Sequence, residues 1–411
     1  MAPFPLALSD LLGHWNAYIV YAIIGFAFGY VLEISGFADS RKLAAQFYFK
    51  EMTVLKVMFG AIITAMVLIF LASGLGLLDF NLVYVNPTYL WPGIVGGLIM
   101  GVGFIVGGFC PGTSLVSAAV LKLDGIFFAL GAFFGIFLFG ETVGLYEGFW
   151  NSSYLGRFTL MEWLNLPTGV VVLLVVLMAL FMFWGSEILE KVVGKKDISK
   201  EPKWRYAAAA TIIVVAIATI IIGQPSNADR WNKLELTEGV RLDNREVQIH
   251  PGELLTITHD TSLNIIMLDV RDEADFNLFH IQDARHVPAG DVVALAPTLL
   301  EEPANTVIVV MSNDEAAATS AWQQLKAESV PSVYILEGGV NGWLATFAPA
   351  EFKTEAVLAN VGEDELAYGF AAALGDRYDF AEPDPHNYEE LLFTPKVKLE
   401  IKRGASGGGC G

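Results

Sequence analysis

The sequence predicts a polytopic α-helical membrane domain with an internal repeat and re-entrant helices, followed by an acidic α/β soluble domain. Three observations predict it: six apolar segments of bilayer-spanning length, a glycine-containing break that occurs twice among them, and a later alternation of β-branched runs with amphipathic stretches. Residues 1–223 carry 12 Lys or Arg and 13 Asp or Glu, whereas residues 224–411 carry 13 and 31. The acidic half argues against nucleic acid as a partner, because phosphates recruit cationic side chains.

The six apolar segments are each about 20 residues long, the length that crosses the hydrocarbon layer as a helix. Their approximate limits are 15–32, 54–73, 88–107, 125–145, 167–189 and 204–223. The first apolar run has no Lys or Arg before it, so we expect a retained span and not a cleaved signal peptide.

Basic residues predict the orientation of these spans. Lys and Arg lie in the loops after the first, third and fifth spans, whereas the membrane loops on the opposite side contain only Arg157. We therefore expect a multi-pass protein of the inner (cytoplasmic) membrane, with its N-terminus and its soluble domain on the extracytoplasmic side. One missed or extra span would reverse this orientation.

An internal repeat lies at an offset of 72 residues in the membrane domain. Each copy reads as a span, a Gly-Phe break, a short polar stretch and another span. Backbone at membrane depth must be paired, buried or exposed to a cavity, so we expect two re-entrant elements that face each other around a substrate. A shared packing motif without a pathway is the alternative. The aligned positions are Gly25, Gly29, Gly36 and Phe37 in the first copy and Gly97, Gly101, Gly108 and Phe109 in the second.

The second break, GGFCPGTS, contains the main candidate site of the membrane domain. Cys110 precedes Pro111, Gly112 and Thr113, which suit the first turn of a short helix because proline lacks an N–H group. A helix N-terminus offers unpaired N–H groups to an anion, and a thiol beside it can meet a sulfur anion. Alternatively, Cys110 is a small buried apolar side chain. Gly36 marks the corresponding position of the first break.

These breaks resemble the YeeE/YedE family of membrane proteins, which import thiosulfate or related sulfur compounds. The resemblance covers roughly 25–145 and rests on GYVLEISGFADSRKL and GVGFIVGGFCPGTSLVSAAVLKLDG. It implies a narrow path lined by cysteines, here Cys110. The chain departs from the family in having Ala38 at the first-copy position and in having fewer spans. We therefore expect either an oligomer that completes the path or a chain that no longer transports.

One carboxylate is expected deep inside a span: Glu141, in FGETVG of the fourth segment. Because a charge in lipid is costly, this position indicates either a role in the substrate path or a structural polar contact. Glu33, at the end of the first span, is explained by an interfacial position.

The acidic half is expected to consist of a linker at 224–255, an α/β domain with a parallel sheet at 256–348 and an acidic extension at 349–411 with a glycine-rich tail. LDVRDEADFNLFHIQDARHVPAGDV at 268–292 and LEGGVNGW at 336–343 resemble the two signatures of the rhodanese family. This resemblance implies a loop after the central strand, with a nucleophilic cysteine and backbone N–H groups that hold a sulfur anion.

Ser312 stands where that cysteine is expected, and a hydroxyl cannot hold a persulfide. Asp314 and Glu315 place two carboxylates in the predicted anion cradle, where they repel an anion. We therefore expect no sulfurtransferase activity by the family mechanism, no cofactor and no metal, and a docking role for this domain. Three matched residues are expected to be structural, as an ion pair and a loop anchor: Asp269, Arg271 and His280.

Cys410 is the second cysteine of the chain, in the tail GASGGGCG. A Gly/Ser arm is a flexible coil, so its thiol is a candidate mobile carrier that replaces the missing nucleophile and makes the domain an active sulfurtransferase. An ordinary frayed chain end is the alternative. Two cysteines this far apart build neither a disulfide framework nor a cysteine-based zinc site.

Two functions fit these patterns. The first is membrane transport or handling of a small, thiosulfate-like sulfur anion through a Cys-lined path; its partners are the anion, the lipid bilayer and a further copy of the chain. The second is a non-transporting membrane anchor that presents a catalytically inactive rhodanese-like docking domain to a membrane or extracytoplasmic partner protein.

Overall fold

The computed structural model describes residues 3–6, 8–196, 202–350, 352 and 364–400. They form two compact units, which divide the chain between Gln224 and Pro225. We call the first the membrane unit and the second the soluble unit. The division coincides with the change from an apolar to an acidic composition.

The membrane unit contains six apolar helical stretches long enough to cross a bilayer, as the sequence predicts. Its helices are α1 (Leu8–Leu12), α2 (His14–Ile34), α3 (Ser40–Ala44), α4 (Thr53–Gly74), α5 (Leu90–Gly107), α6 (Pro111–Ala119), α7 (Leu123–Thr142), α8 (Glu147–Trp150), α9 (Leu160–Leu164), α10 (Thr168–Val192) and α11 (Trp204–Ile222). The spanning stretches are α2, α4, α5 with α6, α7, α10 and α11. Short 3-10 turns lie at Ala45–Tyr48, Phe80–Leu82 and Val143–Leu145.

Helices α4, α10 and α11 pack around a common apolar core that includes Ile63, Val176 and Ala216. A Cβ atom at Gly169 of α10 would lie 2.8 Å from the Cα atom of Ile220 in α11. The absence of a side chain at Gly169 therefore lets the two helices approach closely, as small residues do between membrane helices.

A buried carboxylate joins the end of α10 to the start of α4. Glu190 is almost fully buried. It accepts a hydrogen bond from the Met52 N–H at 2.6 Å and pairs with the Lys56 Nζ at 2.5 Å. The Lys196 Nζ lies 3.8 Å away. The two ammonium groups compensate a charge that would otherwise be costly at this depth.

The soluble unit is an α/β structure built on a five-stranded sheet, in agreement with the sequence prediction. Its strands are β1 (Gln248–Ile249), β2 (Asn264–Asp269), β3 (Arg285–His286), β4 (Thr306–Met311) and β5 (Val333–Leu336). The sheet order is β1-β5-β4-β2-β3, and every pair of neighbours is parallel. All six residues of the central strand β4 are buried, as a parallel sheet covered on both faces requires.

Helices cover both faces of the sheet. One core contains Leu254, Trp343 and Phe347, and the other contains Val292 and Trp322. The helices of this unit are α12 (Asn227–Leu234), α13 (Val240–Asp243), α14 (Pro251–Thr258), α15 (Glu273–Leu278), α16 (Val292–Glu301), α17 (Ala316–Ala327) and α18 (Gly339–Phe347), with a π-helix at Glu235–Gly239 and 3-10 turns at Asp379–Ala381 and Pro385–Tyr388.

The soluble unit extends beyond the predicted limits of 256–348 on both sides. The predicted linker at 224–255 is corrected, because Gln248 of β1 lies opposite Ile335 of β5 and helices α12 to α14 occupy much of the remainder. On the other side, the described part of the extension packs onto the domain. The Trp343 indole N–H donates to the Phe380 carbonyl at 2.9 Å, and Leu366 lies in the same core.

Candidate functional site

The two predicted breaks have the same backbone geometry. Helix α2 ends at Ile34, and Gly36 follows with a φ of 79°. Helix α5 ends at Gly107, and Gly108 follows with a φ of 73°. This left-handed conformation favours glycine because it lacks a Cβ atom. The next residue in each copy, Phe37 or Phe109, is fully buried, so the 72-residue repeat is present in the structure.

The first break lies against the second copy. The carbonyl of Ala38 accepts hydrogen bonds from the Ser117 Oγ at 3.1 Å and the Lys122 Nζ at 3.0 Å. The Ser40 hydroxyl donates to the Asp124 Oδ2 at 2.7 Å. A carbonyl that the break removes from regular helix pairing is therefore satisfied by the other copy, which meets the requirement on backbone at membrane depth.

The second break also approaches the first copy closely. A Cβ atom at Gly108 would lie 3.0 Å from the Ser40 Cβ and 3.0 Å from its carbonyl oxygen. Gly108 therefore serves both a left-handed turn and a close contact. The two breaks face each other, as the repeat predicts.

Cys110 caps the N-terminus of α6. Its Sγ accepts a hydrogen bond from the Thr113 N–H at 3.4 Å, and the Thr113 Oγ1 accepts one from the Cys110 N–H at 3.0 Å. The side chain is half-buried, and Pro111 opens the helix as predicted. Cys110 is thus a capping group at the positive end of a nine-residue helix and not a fully buried apolar side chain.

Two lysines that the sequence analysis did not single out as site residues lie at the breaks. The Lys42 Nζ donates to the Ser35 carbonyl at 2.7 Å, beside Gly36. The Lys122 Nζ donates to the Ala38 carbonyl. The sequence gives no common signal for them, because Lys42 follows the first Gly-Phe pair by five residues and Lys122 follows the second by thirteen.

Glu141 lies apart from Cys110. It is exposed in the last turn of α7, which ends at Thr142, whereas α6 packs near the start of α7, with Gly125 against Ser117. Phe109, next to Cys110, contacts Phe128 of α7, and the thirteen residues from Phe128 to Glu141 span about 20 Å of helix. Glu141 lies within the span Leu123–Leu145, and its depth in the bilayer stays a prediction.

The loop between β4 and α17 lies where the rhodanese resemblance places it. Ser312 is fully buried, and its Oγ accepts a hydrogen bond from the Ala318 N–H at 3.1 Å. The Ser312 side chain therefore stabilises the loop from inside and is not presented to solvent.

The two carboxylates of this loop have different partners. Glu315 pairs with Arg245 through hydrogen bonds of 2.7 and 3.0 Å and accepts a third from the Gly338 N–H. The expectation that Glu315 repels an anion in the cradle is therefore corrected. Burial would raise the pKa of Asp314, but hydrogen bonds from the N–H groups of Ala316 and Asp364 outweigh it, so that this pKa lies below its usual value of 3.8.

The matched rhodanese residues are structural, as predicted. Arg271 and Asp269 form a buried ion pair at 2.6 Å. The same guanidinium donates to the Asn313 Oδ1 at 3.2 Å and to the Phe279 carbonyl at 2.7 Å, which fixes the loop after β4. The His280 Nδ1 lies 2.8 Å from the carbonyl of Phe276. The predicted mobile thiol, Cys410, lies outside the described residues.

Comparisons with known proteins agree with both resemblances. Residues 35–240 match the family described as sulphur transport, and residues 251–346 match the rhodanese-like domain. The thiosulfate transporter TsuA of Spirochaeta thermophila is 24% identical in an alignment 218 residues long, and the match covers 48% of this chain. The match covers 61% of that relative's length.

Proposed function

Because the chain belongs to the sulphur transport family and continues into a rhodanese-like domain, we propose that it carries a small sulfur oxyanion of the thiosulfate class across the cytoplasmic membrane. The observation that carries this proposal is the position of Cys110, half-buried at the helix N-terminus that follows Gly108 in the second of two facing breaks. The relative's name, a thiosulfate transporter, supports the substrate class.

The proposed constriction combines three kinds of attraction for such an anion. The N-terminus of α6 supplies the positive end of a helix dipole. The ammonium groups of Lys42 and Lys122 lie at the breaks and add positive charge. The thiol of Cys110 offers a soft contact to the terminal sulfur, while Thr113 holds that thiol in place.

Pro111, Gly112 and Gly36 shape the proposed path without binding the anion through their side chains. Pro111 starts α6 and Gly36 makes the left-handed turn of the first break. Gly112 lies in the first turn of α6, which the family resemblance implies that it shapes. Glu141 is outside this proposal because it lies at the other end of α7.

The proposal includes a second copy of the chain and an orientation. Ala38 leaves each chain with a single thiol at the breaks, so a further copy is proposed to complete the path. The distribution of Lys and Arg supports an extracytoplasmic soluble unit.

Uptake of radiolabelled thiosulfate into proteoliposomes tests this function. We expect uptake by the wild type and at least about a tenfold loss in Cys110→Ala, the loss that follows from removing a contact worth about 1.4 kcal/mol. Cys410→Ala is the matched control, since it removes the other thiol, and it should transport like the wild type. Equal uptake by all three proteins would remove Cys110 from the mechanism.

A second candidate function is a membrane anchor that presents the soluble unit to a partner protein. The buried Ser312 and the replacement of the first-copy cysteine by Ala38 favour it. No uptake by any variant, together with a stoichiometric partner that co-purifies with the full chain, would support the anchor over the transporter.

A further inference from the structure

A carboxylate from the acidic extension occupies the loop after β4. The Asp364 Oδ1 accepts a hydrogen bond from the Asp314 N–H at 3.0 Å, and its Oδ2 accepts one from the Ala317 N–H at 2.7 Å. In return, the Asp364 N–H donates to the Asp314 Oδ2 at 2.8 Å. Asn313 donates to the Asp364 carbonyl at 2.9 Å. The loop therefore both donates hydrogen bonds to the extension and accepts one from it.

These contacts are those of a bound anion. The loop leads into α17, a 12-residue helix whose first N–H groups have no partner within the helix. The carboxylate of Asp364 satisfies two N–H groups at this end, where the helix dipole favours negative charge. The extension thus provides the two hydrogen-bond acceptors that a free oxyanion in solution would otherwise provide.

The backbone conformation at Asp364 and the contacts of the residues after it place its carboxylate at the loop. Asp364 has a φ of 57°, a left-handed conformation that aspartate tolerates better than most residues. The residues that follow are fastened to α18, since Asn341 donates to the Glu365 carbonyl at 2.9 Å and accepts from the Ala367 N–H at 2.8 Å. The carboxylate is therefore placed by contacts on both the loop and a neighbouring helix.

A cavity of about 510 Å³ adjoins the occupied loop, and its lining combines Arg271 and Asn313 with the acidic residues Asp272, Asp275, Asp364 and Glu365. Asp364 itself forms part of the wall. An anion that entered this cavity would find the N–H groups of Asp314 and Ala317 already bonded to the carboxylate of Asp364.

We propose that Asp364 is a built-in anionic ligand through which the acidic extension keeps this loop closed to free oxyanions. The soluble unit holds its own extension in place of a sulfur anion, whatever the membrane unit carries. The carboxylate of Asp314 does not by itself exclude an anion, because a carboxylate is already bound beside it. Removal of the Asp364 carboxylate opens a site for an oxyanion with two adjacent oxygen atoms, such as sulfate or thiosulfate.

Equilibrium dialysis of the full chain in detergent against labelled inorganic sulfate tests this proposal. We expect Asp364→Ala to bind one more sulfate per chain than the wild type. The gain in affinity at this site should be about ten- to a hundredfold, the range of a charge-assisted hydrogen bond. Asp376→Ala is the matched control, because Asp376 is an exposed aspartate of the same extension. Any sulfate held by the membrane unit is common to all forms and cancels in the difference.

Asp364→Gly also removes the side chain, keeps the backbone N–H that Asp314 accepts and suits the left-handed φ of 57°, and it decides the matter if the alanine variant does not fold. A gain of one site in either folded variant supports the proposal. Sulfate binding equal to the wild type in folded Asp364→Gly would overturn it. Thiosulfate uptake is measured separately, so failure of transport leaves this result interpretable.

Discussion

The N-termini of two helices, α6 in the membrane unit and α17 in the soluble unit, handle negative charge differently. At α6 the capping group is the half-buried thiol of Cys110, to which our proposal assigns a contact with an arriving anion. At α17 the N–H groups are taken by the carboxylate of Asp364, and Ser312 below them is fully buried. The helix N-terminus is capped by a thiol in one unit and by a carboxylate in the other, which favours the membrane unit for the sulfur chemistry that we propose.

The largest expected effect tests whether the buried ion pair of Arg271 and Asp269 stabilises the loop after β4. Arg271→Met leaves Asp269 charged and unpaired in the core, which should cost about 3–5 kcal/mol of unfolding free energy. Proteolysis of the full chain in increasing urea measures it. Arg285→Met, at an exposed arginine of β3, should cost little. A small change at Arg271 would mean that the loop is not held by this ion pair.

A substitution with an intermediate expected effect tests the second break of the membrane unit. Gly108→Ala adds a Cβ atom to a left-handed residue 3.0 Å from Ser40, so it should cost about 1–2 kcal/mol from backbone strain alone. Thermal unfolding in detergent measures the loss. Gly103→Ala is the control, because a Cβ there meets nothing within 4 Å. Equal melting of the two variants would argue that the breaks do not depend on this geometry.

The smallest expected effect is an unchanged sulfurtransferase activity. Ser312→Cys restores the nucleophile type in the soluble loop, but we expect thiocyanate production from thiosulfate and cyanide to stay at background. The reason is that position 312 is fully buried and the loop is occupied by Asp364. Measurable turnover by this single variant would show that the loop opens, and the contrast between the two helix N-termini would fail.

Features with a local or repeated signal were predictable from the sequence. The length of the apolar segments predicts the six spans, and the β-branched run TVIVVM predicts the buried central strand. The breaks follow from a 72-residue repeat of Gly-Phe pairs, which the matching φ values of Gly36 and Gly108 reproduce. In each case the signal is a continuous apolar run or a short segment that occurs twice.

Features that depend on distant pairing were not predictable. β1 contains only two residues and exists because it pairs with β5 far along the chain. The sequence predicts that Glu315 belongs to an anion cradle, whereas its ion pair is with Arg245, 70 residues earlier in the chain. No local pattern indicates that pair. Asp364 lies in a stretch with no periodic pattern, and its ligand role arises from N–H groups about 50 residues before it.

The carbonyl of Ala38 finds its hydrogen-bond donors 79 and 84 residues later, at Ser117 and Lys122. During synthesis, the first break therefore emerges from the ribosome well before the groups that complete it. Until the second copy follows, this carbonyl needs water or an insertion factor as a temporary partner. Truncation between the two copies should accordingly yield a product that the cell's quality control recognises as unfinished.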